Sequence, residues 1–300
     1  MSSDDEGSDE EARRLREVAH ARRAHTLAQW STAAAALTRH GWAVLDSFLG
    51  APAARALRDD VRNLRTTSAA MFAPGRTAAA ADDDDRAHSA RVLRGDLVAR
   101  LHADDARMPS LRQCVRQADR LVRSLARGVE ELRGVEARSA PMIACYPGGG
   151  ARYVRHVDNP GGNRRVLTWL LYLNEEWQHG DGGELRLYDA DGGVVEVEPL
   201  LDRAVVFLSK KVPHEVVATQ KERLAVSVWY EEGPGGAADG GGTEHEDDIT
   251  QFSFGRNADE IKAFLFALAD LNPAQSEGIG ADSNFRDKDS TFSSAMLRSW

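Results

Sequence analysis

From Pro141 onward the chain alternates short runs rich in Val, Leu, Ile and Tyr with turns of Gly, Asp and Asn, and no helical period interrupts them. The runs cover 142–146, 152–157, 165–173, 184–188, 194–198, 204–208, 214–218 and 223–230. Strands this short and this closely spaced satisfy their backbone groups only against one another. The pattern therefore predicts an antiparallel sandwich or barrel.

The residues before this core read as support. Residues 1–12 carry six acids and no base, which predicts a disordered, solvated tail. From Glu11 to about Arg39 the chain is rich in Ala, Arg, Leu and Glu, predicting a helix that Gly41 ends. Trp42 to Leu45 reads as a short buried strand, and 51–64 as a second helix with Pro52 in its first turn. The low-complexity runs Ala78–Ala81 and Asp82–Asp85 predict a mobile loop over about 66–90. A further helix should start at Ser110 as N-cap, with Leu111, Cys114, Val115, Ala118, Leu121, Val122 and Leu125 at helical spacing. The expected organisation is thus a tail over 1–12, helical support with the loop over 13–140, the β core over 141–232, and a flexible linker over 233–250. A helical extension follows over 251–300, where Asn257 caps a stripe of Ile261, Phe264, Leu265, Leu268 and Leu271.

Lysine and arginine total 38 against 47 acids, a net charge of −9, which argues against nucleic acid as the partner. Two cysteines, Cys114 and Cys145, build neither a disulfide framework nor a zinc site. With no basic-apolar leader at the start and no apolar run long enough to cross a bilayer, the expected setting is cytosol or nucleus, away from membranes.

Chemistry concentrates at two places in the core. Run 152–157 ends in His156-Val157-Asp158, and on extended chain residues two apart point the same way. The third candidate is His214, opening a strand after Phe207-Leu208. Two histidines and one carboxylate leave three of six octahedral positions open, the ligand set of non-haem iron(II) oxygenases. Nine residues on, Arg223 heads the strand to Tyr230 and shares a face with Ala225, Ser227 and Trp229. An arginine turned into a barrel demands an anion. Its fork suits the distal carboxylate of 2-oxoglutarate.

The segments Met142-Ile143-Ala144-Cys145-Tyr146-Pro147-Gly148, Tyr153-Val154-Arg155-His156-Val157-Asp158-Asn159-Pro160 and Leu171-Tyr172-Leu173-Asn174 resemble the catalytic domain of the hypoxia-inducible-factor prolyl hydroxylases. Gly182-Gly183-Glu184-Leu185-Arg186, Pro213-His214-Glu215-Val216 and Val228-Trp229-Tyr230 continue the resemblance, as do His40 to Gly50 and Leu93-Arg94-Gly95-Asp96, so it spans roughly 38–232 in order. It implies a double-stranded β-helix (jelly-roll, cupin-like) core with flanking helices, mainly β and α+β in class. The implied activity is hydroxylation of a prolyl residue, at C4, in a protein substrate by a monomer.

Iron(II), 2-oxoglutarate and O2 are the implied cofactor and cosubstrates, with ascorbate in support, succinate and CO2 as products, and a role in the response to hypoxia. Carried over by position, His156, Asp158 and His214 are the iron ligands. Arg223 takes the distal carboxylate with Tyr172, Tyr146 lies near the metal, and Trp229 and Thr168 line the pocket. Val166, Leu170 and Val226 form its apolar walls. Arg94 and Asp96 stand at the root of the mobile substrate loop, and Asp96 is expected to pair with Arg165 when that loop closes. The alternatives are a related oxygenase acting on another residue or substrate class, a zinc hydrolase with the same three ligands, and a barrel that only binds.

Overall fold

The protein is described by a computed structural model covering residues 3–75, 94–189, 191–233 and 249–251. Contacts divide the chain into two compact units, Met1–Phe254 and Gly255–Trp300; the second, with the helix expected from Asn257, lies outside the described residues.

Helix α1 spans Ser3–His40, so the acidic segment expected as a solvated tail is helical almost from its start. A polar stretch continuous with a helix can close its backbone hydrogen bonds by propagation, which composition alone does not weigh. The helix stops as expected: Gly41, at φ 82°, donates its N–H to Leu37 O at 2.8 Å. Strand β1 (Trp42–Leu45) and helix α2 (Ala51–Thr67) follow. The buried Asp202 carboxylate accepts from the N–H groups of Leu49 (2.7 Å) and Gly50 (2.8 Å), fixing the entry to α2.

The stretch assigned to helical support also supplies three further strands. These are β2 (Ala73–Pro74), β3 (Leu97–Arg100) and β4 (Val135–Ser139), with helix α3 (Leu111–Leu125) between β3 and β4. Of the expected loop, 66–75 is thus ordered into the end of α2, a 3₁₀ turn at Ala69–Met71 and β2, while 76–93 lies outside the described residues. Ser110 does not cap α3 through its hydroxyl. Its own backbone N–H is taken by Asp60 of α2 at 2.8 Å, a partner fifty residues away.

The eight runs of the core form eight strands: β5 (Met142–Tyr146), β6 (Ala151–His156), β7 (Arg165–Tyr172), β8 (Leu185–Tyr188), β9 (Val194–Val197), β10 (Ala204–Leu208), β11 (His214–Thr219) and β12 (Arg223–Glu232). The end of the expected linker is a strand as well, β13 (Ile249–Gln251), antiparallel to β4. Two antiparallel sheets result. The larger runs β1-β10-β7-β12-β5-β3-β2, with β4 also paired to β12; the smaller runs β6-β11-β8-β9.

Each face of the larger sheet is buried, but against different things. One face packs on the helices, joining Leu37, Leu57, Val61, Leu111, Leu121 and Trp169 to Val226 and Val228. The other faces the smaller sheet, where Tyr146, Tyr172, Leu187, Phe207, Ala225 and Trp229 meet. The site opens from this second core. Val166 and Val226, expected as walls of the pocket, belong to the helix-facing core; Leu170 borders the inter-sheet side as expected.

Candidate active site

Antiparallel pairing of β6 with β11 places His156 directly opposite His214, because one ends its strand where the other begins. Asp158 follows β6 by two residues. One donor atom from each of the three lies within 4.8 Å of the others. His156 Nε2 is 3.5 Å and His214 Nε2 3.8 Å from Asp158 Oδ1. The two imidazoles are anchored alike: His156 Nδ1 lies 2.9 Å from Val154 O, and His214 Nδ1 3.0 Å from Val212 O. A carbonyl only accepts, so each Nδ1 donates there, which leaves each Nε2 as the ring nitrogen turned toward the carboxylate and free to ligate a metal once it carries no proton.

Burial pushes His214 down to about 4 despite the nearby Asp158, keeping it neutral. Burial would raise the Asp158 carboxyl, but His214, His156 and the Thr168 hydroxyl together hold it well below the usual carboxylate range. Two imidazole nitrogens and one carboxylate oxygen brought together on one side suit a divalent metal that keeps open positions, as iron(II) does.

Around this cluster stand residues that sequence reasoning passed over. Tyr153 stacks on His156 with ring centroids 3.7 Å apart, and Phe207 packs on His214 at 4.4 Å. The Arg94 guanidinium covers Tyr153 at 4.7 Å and is held in turn by Asp96, at 2.6 and 3.0 Å. The expected Asp96–Arg165 pair, tied to closure of a loop whose residues 76–93 lie outside the described residues, is not made in this structure. Asp96 pairs with Arg94, two residues away and on the same side of extended chain, and Arg165 lies over the Trp229 ring at 4.5 Å. Thr168 and Trp229, a cross-strand pair on β7 and β12, both hydrogen-bond Asp158 Oδ2, at 2.6 and 3.0 Å.

Arg223 sits deeper in the inter-sheet space, 2% exposed. It pairs with Tyr146 on β5, and Ala225, two residues on, pairs with Tyr172 on β7. Its guanidinium lies between both phenol rings, 5.0 and 4.9 Å from their centroids. Its Nε–H donates to Gly183 O at 2.8 Å. No carboxylate pairs with it among the described residues. The Tyr172 hydroxyl is also buried and has no hydrogen-bond partner among them; burial pushes it up to about 12 against the pull of Arg223. Burial drives the Tyr146 phenol up further. A buried guanidinium without an anion, next to a buried hydroxyl without a partner, is a receptor for a carboxylate.

Gly183 makes room for this arrangement. At φ 79°, a Cβ there would lie 2.9 Å from Thr219 Cβ and 3.1 Å from Arg223 Cδ.

Two packed antiparallel sheets that hold a two-histidine, one-carboxylate cluster beside a carboxylate receptor define an oxygenase of the iron(II) and 2-oxoglutarate class. The model of the 2OG-Fe(II) oxygenase superfamily matches residues 141–231. Egl nine homolog 1 of Rattus norvegicus is 33% identical over 197 residues, covering 65% of this chain and 56% of that protein. Prolyl hydroxylase EGLN3 of Homo sapiens is 34% identical over 193 residues, covering 63% of this chain and 78% of that one. The solved prolyl hydroxylase of Trichoplax adhaerens, in complex with a peptide fragment of the hypoxia inducible factor oxygen degradation domain, superposes with a TM-score of 0.61 at 29% identity, over 69% of this chain and 91% of that one. The chain belongs to the hypoxia-inducible-factor-type prolyl hydroxylase family of the 2OG-Fe(II) oxygenases. It spans little more than half the length of the rat Egl nine homolog 1 that it matches.

Proposed function

We propose that this protein hydroxylates a prolyl residue, at C4, in a protein substrate, converting 2-oxoglutarate and O2 to succinate and CO2. The observation that carries the reading is Arg223: a buried cation with no carboxylate partner among the described residues, behind a three-ligand metal cluster. Iron(II), with its cosubstrates, supplies the oxidising power; the chain supplies placement. His156, Asp158 and His214 hold the ion, with both Nδ1–H groups fixed on carbonyls so that neither ring can turn away. Arg223 receives the distal carboxylate of 2-oxoglutarate, and the Tyr172 hydroxyl donates a further hydrogen bond to it. Tyr146, Leu170 and Trp229 narrow the cavity and exclude water.

A prolyl substrate is supported by the Trichoplax relative, a prolyl hydroxylase solved in complex with a peptide fragment of the hypoxia inducible factor. The proposed working unit is a monomer. The net charge of −9 supports protein over nucleic acid as substrate. No helix among the described residues is long and apolar enough to cross a membrane. The buried, unpaired thiols of Cys114 and Cys145 support a reducing setting, cytosol or nucleus. Ascorbate should support turnover by keeping the metal ferrous, and a turnover rate that follows O2 pressure would make the protein an oxygen sensor.

The test is succinate release with iron(II) against zinc(II), followed by mass spectrometry of a proline-peptide library, with His214→Ala as control. Iron-dependent succinate and a hydroxylated proline are expected. Equal activity with zinc, or hydroxylation only at other residues, would overturn the proposal.

A further inference from the structure

Asp158 has two oxygens, and the fold treats them differently. Oδ1 faces the two imidazole nitrogens, at 3.5 and 3.8 Å. Oδ2 accepts from Thr168 Oγ1 at 2.6 Å and from Trp229 Nε1 at 3.0 Å. Trp229 has a single side-chain donor, and it is committed here. Thr168 has a single proton too, and the carboxylate, which only accepts, must take it. The 2.9 Å contact between Thr168 and Ser209 is therefore donated by Ser209. Ser209 is itself held, since its side chain is buried and its backbone N–H donates to Val166 O at 2.9 Å. Ser209, just past β10, thus donates to Thr168 on β7 and Thr168 to the carboxylate, while Trp229 on β12 donates separately to the same oxygen.

We infer that Ser209, Thr168 and Trp229 form a positioning clamp that keeps Asp158 a one-oxygen ligand. A carboxylate can grip a cation through one oxygen or through both. With both, Asp158 and the two histidines would fill four of six octahedral positions. Two would remain, enough for a chelating 2-oxo acid or for dioxygen but not for both together. Two strong donors on Oδ2, one of them anchored from behind, oppose the rotation that would bring that oxygen onto the metal. The inference rests on the iron and 2-oxoglutarate reading above, and it assigns Thr168 and Trp229 to the metal ligand where the sequence placed them on the cosubstrate.

The experiment uses the full chain without oxygen, loaded with iron(II) and 2-oxoglutarate and then titrated with nitric oxide, a stand-in for dioxygen, while the visible absorption of the iron–nitrosyl complex is followed. Wild type is compared with Thr168→Val/Trp229→Phe, Thr168→Ser and Ser209→Ala. The double variant should still bind 2-oxoglutarate, yet take up nitric oxide about 10- to 100-fold more weakly, with a displaced or lost band, the range that outer partners of a metal ligand command. Thr168→Ser keeps the donor and should restore both affinity and band. Ser209→Ala, which leaves the pocket lining untouched, should fall between. In the metal-free protein the Trp229 indole N–H should exchange slowly with solvent, and faster in Asp158→Ala, a readout that needs no metal.

A double variant with wild-type affinity and an unchanged band overturns the clamp. So does a Thr168→Ser protein as defective as the valine variant, which would make the effect one of packing. Wild type that develops no band with iron, 2-oxoglutarate and nitric oxide sinks the proposed function and this inference together. A normal wild type beside unaffected variants sinks the inference alone.

Discussion

Replacing Arg223 by methionine separates a structural arginine from a receptor for an anion, because the two roles predict opposite signs. In the ligand-free protein the side chain is 2% exposed and has no carboxylate partner among the described residues. Its favourable contacts are one hydrogen bond to Gly183 O and the faces of Tyr146 and Tyr172. A hydrogen bond from a charged donor contributes about 1.5–3 kcal/mol, and each ring about 0.5–2 kcal/mol. Against them stands the cost of burying a cation, several kcal/mol after relaxation.

The two sides nearly cancel, so Arg223→Met should leave the ligand-free melting temperature within about 4 °C of wild type, and higher if burial wins. Ligand binding changes the outcome. With manganese(II) in place of iron and 2-oxoglutarate at a hundred times its Kd, wild type should gain about 2.7 kcal/mol, and the variant almost nothing. In turnover, losing one partner of a buried charge pair, about 3–4 kcal/mol, should raise KM for 2-oxoglutarate some 10²- to 10³-fold. Differential scanning fluorimetry with and without cosubstrate reads both signs. A variant that melts more than about 10 °C lower when ligand-free, yet is still stabilised by 2-oxoglutarate, refutes the receptor role.

Three further perturbations follow from the same geometry. Gly183→Ala drives a methyl group into Thr219 and the Arg223 stem at positive φ, so it should cost about 1–3 kcal/mol in urea unfolding and weaken 2-oxoglutarate more than the metal; equal weakening of both would contradict this. Tyr153→Leu removes the ring stacked on His156 at 3.7 Å and the seat of Arg94. It should weaken manganese(II) binding about tenfold by calorimetry while Tyr153→Phe stays near wild type, and a phenylalanine variant as weak as leucine would shift the role to the hydroxyl. Acid should destabilise the metal-free protein earlier than its carboxylates alone would. His214 is pushed down to about 4 from 6.5 in the fold, so the unfolded chain takes up the proton first. That stability is complete above about pH 6.5 and is lost as pH falls toward 4, in all about 3 kcal/mol. Denaturant melts from pH 7.5 to 4.5 should show the slope, and His214→Gln should flatten it; an unchanged slope would mean that another group titrates.

What the sequence disclosed, and what it withheld, follows the reach of each interaction. The eight core strands were legible because short apolar runs alternate with turn residues, and the shared face of Arg223 and Trp229 because residues two apart on a strand point the same way. The meeting of His156 with His214 needed one more fact, the antiparallel pairing of β6 with β11, which the resemblance implied. Strands β3 and β4 escaped because Leu97–Arg100 and Val135–Ser139 are short and broken by arginine or glutamate; their partners on β5 and β12, not their propensities, make them strands. Val166 and Val226 were misplaced for a related reason. A strand buried on both faces shows no polar side, so alternation says which residues share a face but not which face looks at the cavity.

Hydrogen-bond partners were the hardest to read. Ser110 sits where a cap belongs, yet Asp60 of another helix takes its N–H, and Asp96 closes on its neighbour Arg94 rather than on Arg165. One missed group did leave a signal. Ser209 directly follows the apolar run Ala204–Leu208, and a polar residue carried into the interior by such a strand needs a buried partner. That partner is Thr168, and through it the metal-ligating carboxylate.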